Sequence, residues 1–208
     1  MKIRLIATDM DGTFLDDEKQ IPEANWQALL ACAASGIQIV PATGRTVRGI
    51  PDRIRTLPGV RYAITTNGAV VADLKEDRII STCRVVPDNI RYVKEMGKEI
   101  DKINMFFTDM EARKRMHVSL GQIPGILVTS SIPNNLEINA AGADKGSALL
   151  RLAEFLGIGR EETMAFGDGE NDLSMLRAAG LGSAMENGEE QVKQAADFVT
   201  VSNNDAGV

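Results

Sequence analysis

Asp9 and Asp11 stand two residues apart at the end of an apolar run (Ile3, Leu5, Ile6, Ala7), and Gly12 and Thr13 follow them. The run suits a buried strand. Alternate side chains of an extended segment share a face, so the two carboxylates are expected to point one way and Met10 the other. Two carboxylates on one rim are drawn together through a cation, and hard oxygen pairs of this kind suit Mg²⁺. Gly12 permits a sharp turn just beyond them. Asp and Gly are also common where strands end, so this stretch alone describes a solvated loop equally well. Three later stretches shift that balance: Thr43-Gly44-Arg45, Lys145, and Gly167-Asp168-Gly169-Glu170-Asn171-Asp172.

Other chemistries find little support. A net charge of -6 and a pI near 4.9 argue against nucleic acid or an anionic membrane as a partner. No apolar run approaches bilayer length, and the N-terminus carries no apolar signal segment with a cleavage site, so a cytoplasmic location is expected. Cys32 and Cys83 lie far apart in no metal or redox spacing and read as reduced core residues. His117 is the only histidine, so serine-histidine and cysteine-histidine mechanisms would depend on it alone, and no nucleophile-elbow sequence accompanies it. Any chemistry is expected to run on carboxylates, a lysine and hydroxyls.

The elements that must position these groups alternate. After the first strand, Glu23 to Ala34 has apolar residues at helical spacing (Trp26, Leu29, Leu30, Ala33) and stops at Gly36. Ile37 to Val40 reads as a strand opening into Pro41-Ala42-Thr43-Gly44-Arg45. Val47, Ile50 and Ile54 suggest a helix that Pro51 kinks. Tyr62 to Thr65 is a third strand, broken by Asn67-Gly68, and Ala69 to Ala72 with Arg78 to Thr82 form a hairpin. The texture then changes. Residues 85–135 read as a small α+β insert: a charged helix over Pro87 to Glu99, a strand over Ile103 to Thr108, a basic helix over Met110 to Leu120, and strands at Ile126 to Thr129 and Leu136 to Asn139. The parallel pattern resumes with helices at Ala143 to Phe155, Leu173 to Ala179 and Glu189 to Ala196. Its strands are Thr163 to Phe166, Leu181 to Met185 and Phe198 to Thr200. The division is therefore a core in two parts, 1–84 and 136–208, around the insert.

Each candidate loop follows or adjoins an expected parallel strand, and sites in open α/β sheets lie beyond the carboxyl ends of strands. Asp9, Asp11, Thr43, Gly44 and Asp168 to Asp172 should converge in one crevice, with Lys145 at the start of its helix within reach. Singly, each has an ordinary explanation. Lys145 reads as a surface lysine, Asp168, Asn171 and Asp172 as an acidic helix start, and Thr43-Gly44 as a turn. Together they supply what phosphoryl transfer needs: charge neutralisation and in-line positioning.

In this order the four motifs resemble those of the haloacid dehalogenase superfamily. Thr66-Asn67-Gly68-Ala69 and the Gly-Asp-x-x-Asn-Asp form are similar to the Cof-type sugar-phosphate phosphatases. The resemblance implies a Rossmann-like α/β core with a type II cap inserted between the second and third motifs, where the α+β insert falls. It implies Asp9 as nucleophile and Asp11 as general acid and base. Mg²⁺ would be held by the Asp9 carboxylate, the Asp11 main-chain carbonyl and Asp168. Thr43, Gly44, Lys145 and Asn171, with the Met10 position, would bind phosphate or substrate. Asp172 would act in support through Lys145 or water, Arg45 would pair with an acidic side chain or hold its loop, and Asn67 would lie near the cap hinge. The implied partner is a small phosphorylated metabolite, with the chain a monomer or weak homodimer. A phosphomutase, and a phospho-accepting or Mg²⁺-phosphate-binding module without turnover, are the alternatives. Receiver-like domains also place acidic residues, Thr and Lys at strand ends, but Asp11 argues for turnover. The insert is shorter than caps typical of Cof-type relatives, which should leave a wetter crevice. The end at Val208 lacks a closing helix, which should expose apolar surface.

Overall fold

The computed structural model describes residues 2–84, 100–130 and 132–208. The central layer is a five-stranded sheet of β1 (Leu5–Thr8), β2 (Gln38–Pro41), β9 (Thr163–Gly167), β10 (Leu181–Ala184) and β11 (Phe198–Val199), in the spatial order β11-β10-β9-β1-β2. Every pairing in it is parallel. The chain leaves β1 toward β2 on one side and later returns as β9 on the other, so the strand order reverses at β1. In doubly wound sheets that reversal opens a crevice above the strand ends. The register puts Thr8 level with both Pro41 and Phe166, so the loops after β1, β2 and β9 leave the sheet at one height.

The covering elements follow the expected pattern closely. Helix α1 runs Glu23–Ala34. The segment with Pro51 is broken rather than bent: a single 3₁₀ turn at Val47–Gly49 is separate from the short α2 (Asp52–Arg55). Pro51 cannot donate a helical hydrogen bond and holds Ile50 extended, so one helix cannot cross it. β3 (Tyr62–Thr65), β4 (Val70–Asp73) and β5 (Arg78–Thr82) make an antiparallel sheet, and bridges from Val60 to Ile39 and Ile64 to Ala42 set β3 alongside β2. Helix α4 (Lys145–Phe155) buries Ala148, Leu149 and Leu152 against the core sheet, each worth roughly 1.5–3 kcal/mol for the larger side chains. Helices α5 (Leu173–Ala178) and α6 (Glu190–Ala195) complete the layer.

The inserted unit is a second antiparallel sheet, β6 (Lys102–Phe106), β8 (Asn135–Ala140) and β7 (Ile126–Thr129), in the order β6-β8-β7, with α3 (Met110–Leu120) against β7 and β8. Helix α3 begins at Asp109, whose carboxylate accepts from the N–H groups of Glu111 and Ala112. β8 belongs wholly to this sheet and runs to Ala140, past the Asn135 edge expected from the sequence. The reason is its alternation: Leu136 and Ile138 form one face while Asn135, Glu137 and Asn139 form the other. The helix expected over Pro87 to Glu99 lies outside the described residues.

The C-terminal segment ties the first loop down. Asn203 donates to the Leu15 carbonyl and to Asp17, Asn187 donates to the Gly12 carbonyl, and the Val208 N–H donates to Asn25. Phe198, Val199 and Val201 beside it are exposed. Among the described residues no helix is long and apolar enough to cross a membrane.

Candidate active site

Three adjacent strand ends deliver the acidic groups. Asp9 follows β1 and is fixed by its N–H to the Phe166 carbonyl, and Thr43 follows β2 with its N–H on the Ile64 carbonyl. Asp168 follows β9. Gly12 turns back at φ +88, and a Cβ there would lie 2.6 Å from an Asp168 carboxylate oxygen, so this turn admits only glycine beside that acid. Thr13, fully buried, donates its hydroxyl to Asp168 Oδ1 at 2.5 Å.

Lys145 is the centre of charge. It opens α4, just after Asp144 caps the helix by accepting from the Ser147 N–H, and its side chain is entirely buried. Its Nζ lies 2.5 Å from Asp9 Oδ1 and 2.5 Å from Asp172 Oδ1. The other Asp172 oxygen accepts from the N–H groups of Asp168 and Gly169. Asp172 is thereby fully used in holding the lysine and the Asp168 turn. Among the described residues, Asp9 and Asp168 each keep an oxygen without a protein donor.

The electrostatics follow from this crowding. Carboxylate oxygens of Asp9, Asp168 and Asp172 lie within 4.8 Å of one another, with one lysine among them. Burial pushes the Asp9 carboxyl up to about 7: Lys145 works against the rise, while Asp172 and Asp168 add to it. Burial likewise lifts Asp168 to about 6, against the Thr13 hydrogen bond. Burial would lower Lys145, but the charges of Asp172 and Asp9 outweigh it and hold the ammonium above its ordinary value. Three carboxylates and one ammonium leave an excess of negative charge that a divalent cation would balance, and an all-oxygen set is the kind Mg²⁺ takes. The residues present therefore fit a hard dication, with Asp9 and Asp168 offering the free oxygens.

Asp11 is placed differently from the expectation of two carboxylates on one rim. Its side chain is partly exposed and forms a bidentate pair with Arg45, Nε to Oδ2 at 2.9 Å and Nη2 to Oδ1 at 2.7 Å, with Lys19 Nζ at 3.1 Å. Partial burial opposes the charged form, yet the hydrogen bonds from Arg45 and Lys19 hold Asp11 below the usual carboxylate range. β1 ends at Thr8 and the chain turns from Met10, so strand alternation does not reach Asp11, and its carboxylate lines the same cavity without joining the acidic cluster. Met10 is fully buried among Phe14, Leu15 and Met185, so only its main chain can face a ligand.

Thr43, Gly44, Arg45, Asn171, Asp9, Asp11 and Asp168 all line one cavity of about 340 Å³. Its opposite wall is the polar face of the inserted sheet: Lys102, Asn104, Asn135 and Glu137, with Phe106 and Ile132 toward the mouth. The turn 66–68 joins the two walls. Thr66, Asn67 and Gly68 are all left-handed, at φ 55, 54 and 94. For β-branched Thr66 this costs on the order of 1–3 kcal/mol. Two backbone hydrogen bonds hold it there, Thr66 N–H to the Arg45 carbonyl and Asn67 N–H to the Thr43 carbonyl. Asn67 donates to Glu137 and receives from Asn171 at 3.4 Å. Glu137, Lys102 and Thr13 were not singled out from the sequence. The signal for Glu137 was present in the alternation Asn135-Leu136-Glu137-Ile138-Asn139, a strand with one polar face.

A family model described as haloacid dehalogenase-like hydrolase matches residues 6–112 and 84–208. The chain belongs to that family. This haloacid dehalogenase-like hydrolase is 32% identical over 236 residues to the 5-amino-6-(5-phospho-D-ribitylamino)uracil phosphatase YcsE of Bacillus subtilis, covering 99% of this chain and 93% of the relative. It is 30% identical over 220 residues to a phosphoglycolate phosphatase of Methanopyrus kandleri, covering 98% and 93%. Its structure superposes with a TM-score of 0.87 on the HAD subclass IIB sugar phosphatase BT4131, at 26% identity over 99% of this chain and 96% of that one.

Proposed function

We propose that this hydrolase is a Mg²⁺-dependent phosphatase of small phosphorylated metabolites, with sugar phosphates as the preferred class, working through an aspartyl phosphate on Asp9. The observation that carries the reading is Lys145: a wholly buried ammonium clamped between Asp9 and Asp172 beside Asp168. Burying such a group is costly and seldom adds stability over apolar packing, so a chemical role accounts for it better. The polar cap wall of Lys102, Asn104, Asn135 and Glu137 suits hydroxyls of a leaving group, which supports sugar phosphates over bare acids.

Lys145 holds Asp9 Oδ1, leaving the second oxygen to attack phosphorus as the bond to the leaving oxygen breaks. That oxygen takes a proton from Asp11. Asp11 then removes a proton from water, whose oxygen attacks phosphorus and frees the Asp9 carboxylate together with inorganic phosphate. The Thr43 hydroxyl, the Gly44 N–H, Lys145 and Asn171 would hold the phosphate oxygens. Arg45 and Lys19 hold Asp11 as a carboxylate, so as substrate docks Asp11 must leave them and take up a proton from solvent before it donates, and pairing again with Arg45 after turnover returns that proton to solvent. Asp9, the Asp11 carbonyl and Asp168 would hold Mg²⁺, which when bound would neutralise the charge of the transferring group. Asp172 positions Lys145.

The test is release of inorganic phosphate from a panel of phosphorylated sugars and a chromogenic aryl phosphate, with Mg²⁺ and with a chelator. Release that depends on Mg²⁺ is the expected result, and no release from any member of the panel would overturn the reading.

A further inference from the structure

A second buried ion pair lies across the cavity from Lys145, and it belongs to the insert. Lys102 of β6 and Glu137 of β8 meet at 3.1 Å, both side chains largely out of water. Neither is confined to its own sheet. Lys102 Nζ donates to the Gly44 carbonyl at 2.9 Å, and Glu137 accepts from the Asn67 amide, itself beside Asn171. Asn135 also donates to Glu137, at 3.4 Å. The fit around Gly44 is close: a Cβ there would stand 2.9 Å from Asn67 Oδ1 and 3.6 Å from Lys102 Nζ.

The turn 43–45 is thus held from two sides. The left-handed run at Thr66 and Asn67 fixes the Thr43 and Arg45 carbonyls from within the core. Among the described residues, the Gly44 carbonyl between them is fixed only by the insert's lysine. A peptide group is rigid, so anchoring successive carbonyls sets the direction of the intervening N–H groups. The N–H of the Gly44–Arg45 peptide donates to the Thr43 hydroxyl oxygen at 3.1 Å, so the peptide that Lys102 anchors also sets Thr43, which lines the cavity with Asp9 and Asp168.

We propose that Lys102 and Glu137 are positioning residues that complete the 43–45 turn from the cap, so that the turn is set to grip a phosphoryl group only while the cap sheet lies against it. Glu137 serves twice, holding the Lys102 ammonium on the Gly44 carbonyl and holding Asn67 toward Asn171. The position of the cap is thereby coupled to the phosphate end of the cavity, as well as to its leaving-group end. This rests on the phosphatase reading for its kinetic consequence, but not for its binding one.

The test compares wild type with Lys102→Met and with Glu137→Gln, which keeps the shape but replaces one accepting oxygen with a donor and removes the negative charge that holds Lys102. The probes are inorganic phosphate, with binding measured by calorimetry in Mg²⁺, and 4-nitrophenyl phosphate, whose leaving group is too plain to read a polar cap wall. Both variants are expected to bind inorganic phosphate about tenfold more weakly and to lose about tenfold in kcat on the aryl phosphate, as for other groups that orient a site from behind. Lys102→Arg, which retains a donor, should recover part of both. Wild-type phosphate affinity and aryl phosphate kcat in Lys102→Met would overturn the proposal, even if melting temperature fell or KM rose for sugar phosphates. Failure of the phosphatase reading is separable, because it would show as no turnover in wild type while phosphate binding still differed among the variants.

Discussion

Two lysines, Lys145 of the core and Lys102 of the insert, are held largely out of water, and they are held in different ways. Lys145 sits between two carboxylates of the core, on a helix start packed against the central sheet, and every partner it has is fixed by strand ends that neighbour β1. Lys102 has one carboxylate and one carbonyl, and the carbonyl lies on the other side of the cap–core junction. The first arrangement persists wherever the core is folded. The second exists only with the cap in place.

That contrast is sharpest at Asp9 itself. Asp9→Asn is expected to abolish turnover by several orders of magnitude with the fold intact, since the covalent route is lost. Circular dichroism and phosphate release measured together check this, and near-normal activity would remove Asp9 as nucleophile. Next in size is Lys145→Met, which leaves Asp9 and Asp172 buried without their counter-charge. Breaking a buried pair from one side costs about 3–5 kcal/mol. Chemical denaturation should therefore show losses for both variants, larger for Lys145→Met, which strands two buried carboxylates, than for Lys102→Met, which strands one, and equal losses would erase the distinction between the two lysines.

The legible part of this molecule was the part with local signals. Helices α1 and α3 and the β4–β5 hairpin were readable from apolar spacing and turn residues, and the acidic loops from their places at strand ends. The side-chain direction of Asp11 was not. Strand alternation put it beside Asp9, but the strand stops at Thr8 and Arg45 holds the Asp11 carboxylate, and a partner distant in sequence leaves no local trace. Lys145 shows the same gap from the other side. Alone it reads as a surface residue, and only the meeting of α4 with the β1 and β9 loops buries it. Strand β8, which pairs on both sides within the inserted sheet, carries an alternation that a strand of either domain could carry.

A smaller effect concerns pH. Asp9 and Asp168 bind protons more tightly folded than unfolded, with values near 7 and 6 against 3.8. Their contribution to stability is thus complete below the unfolded value and is lost as pH rises through 6 to 7. Chelator-treated protein should melt at progressively lower temperature across that range, and excess Mg²⁺ should flatten the decline. A decline unaffected by Mg²⁺ would count against a cation at these two carboxylates. The smallest change is expected for Arg45→Gln, which frees Asp11 without removing it. Its kcat should fall by about tenfold or less, because a positioned proton donor as a whole contributes about 10²–10⁴-fold.

The most direct measurement is acid quench of the enzyme during turnover, followed by mass spectrometry of the peptide containing Asp9. A phosphoryl group on Asp9 is expected, accumulating further in Asp11→Ala, where its hydrolysis lacks a base. Turnover at the wild-type rate with no phosphoryl group on that peptide, or with the label on another residue, would contradict covalent catalysis by Asp9.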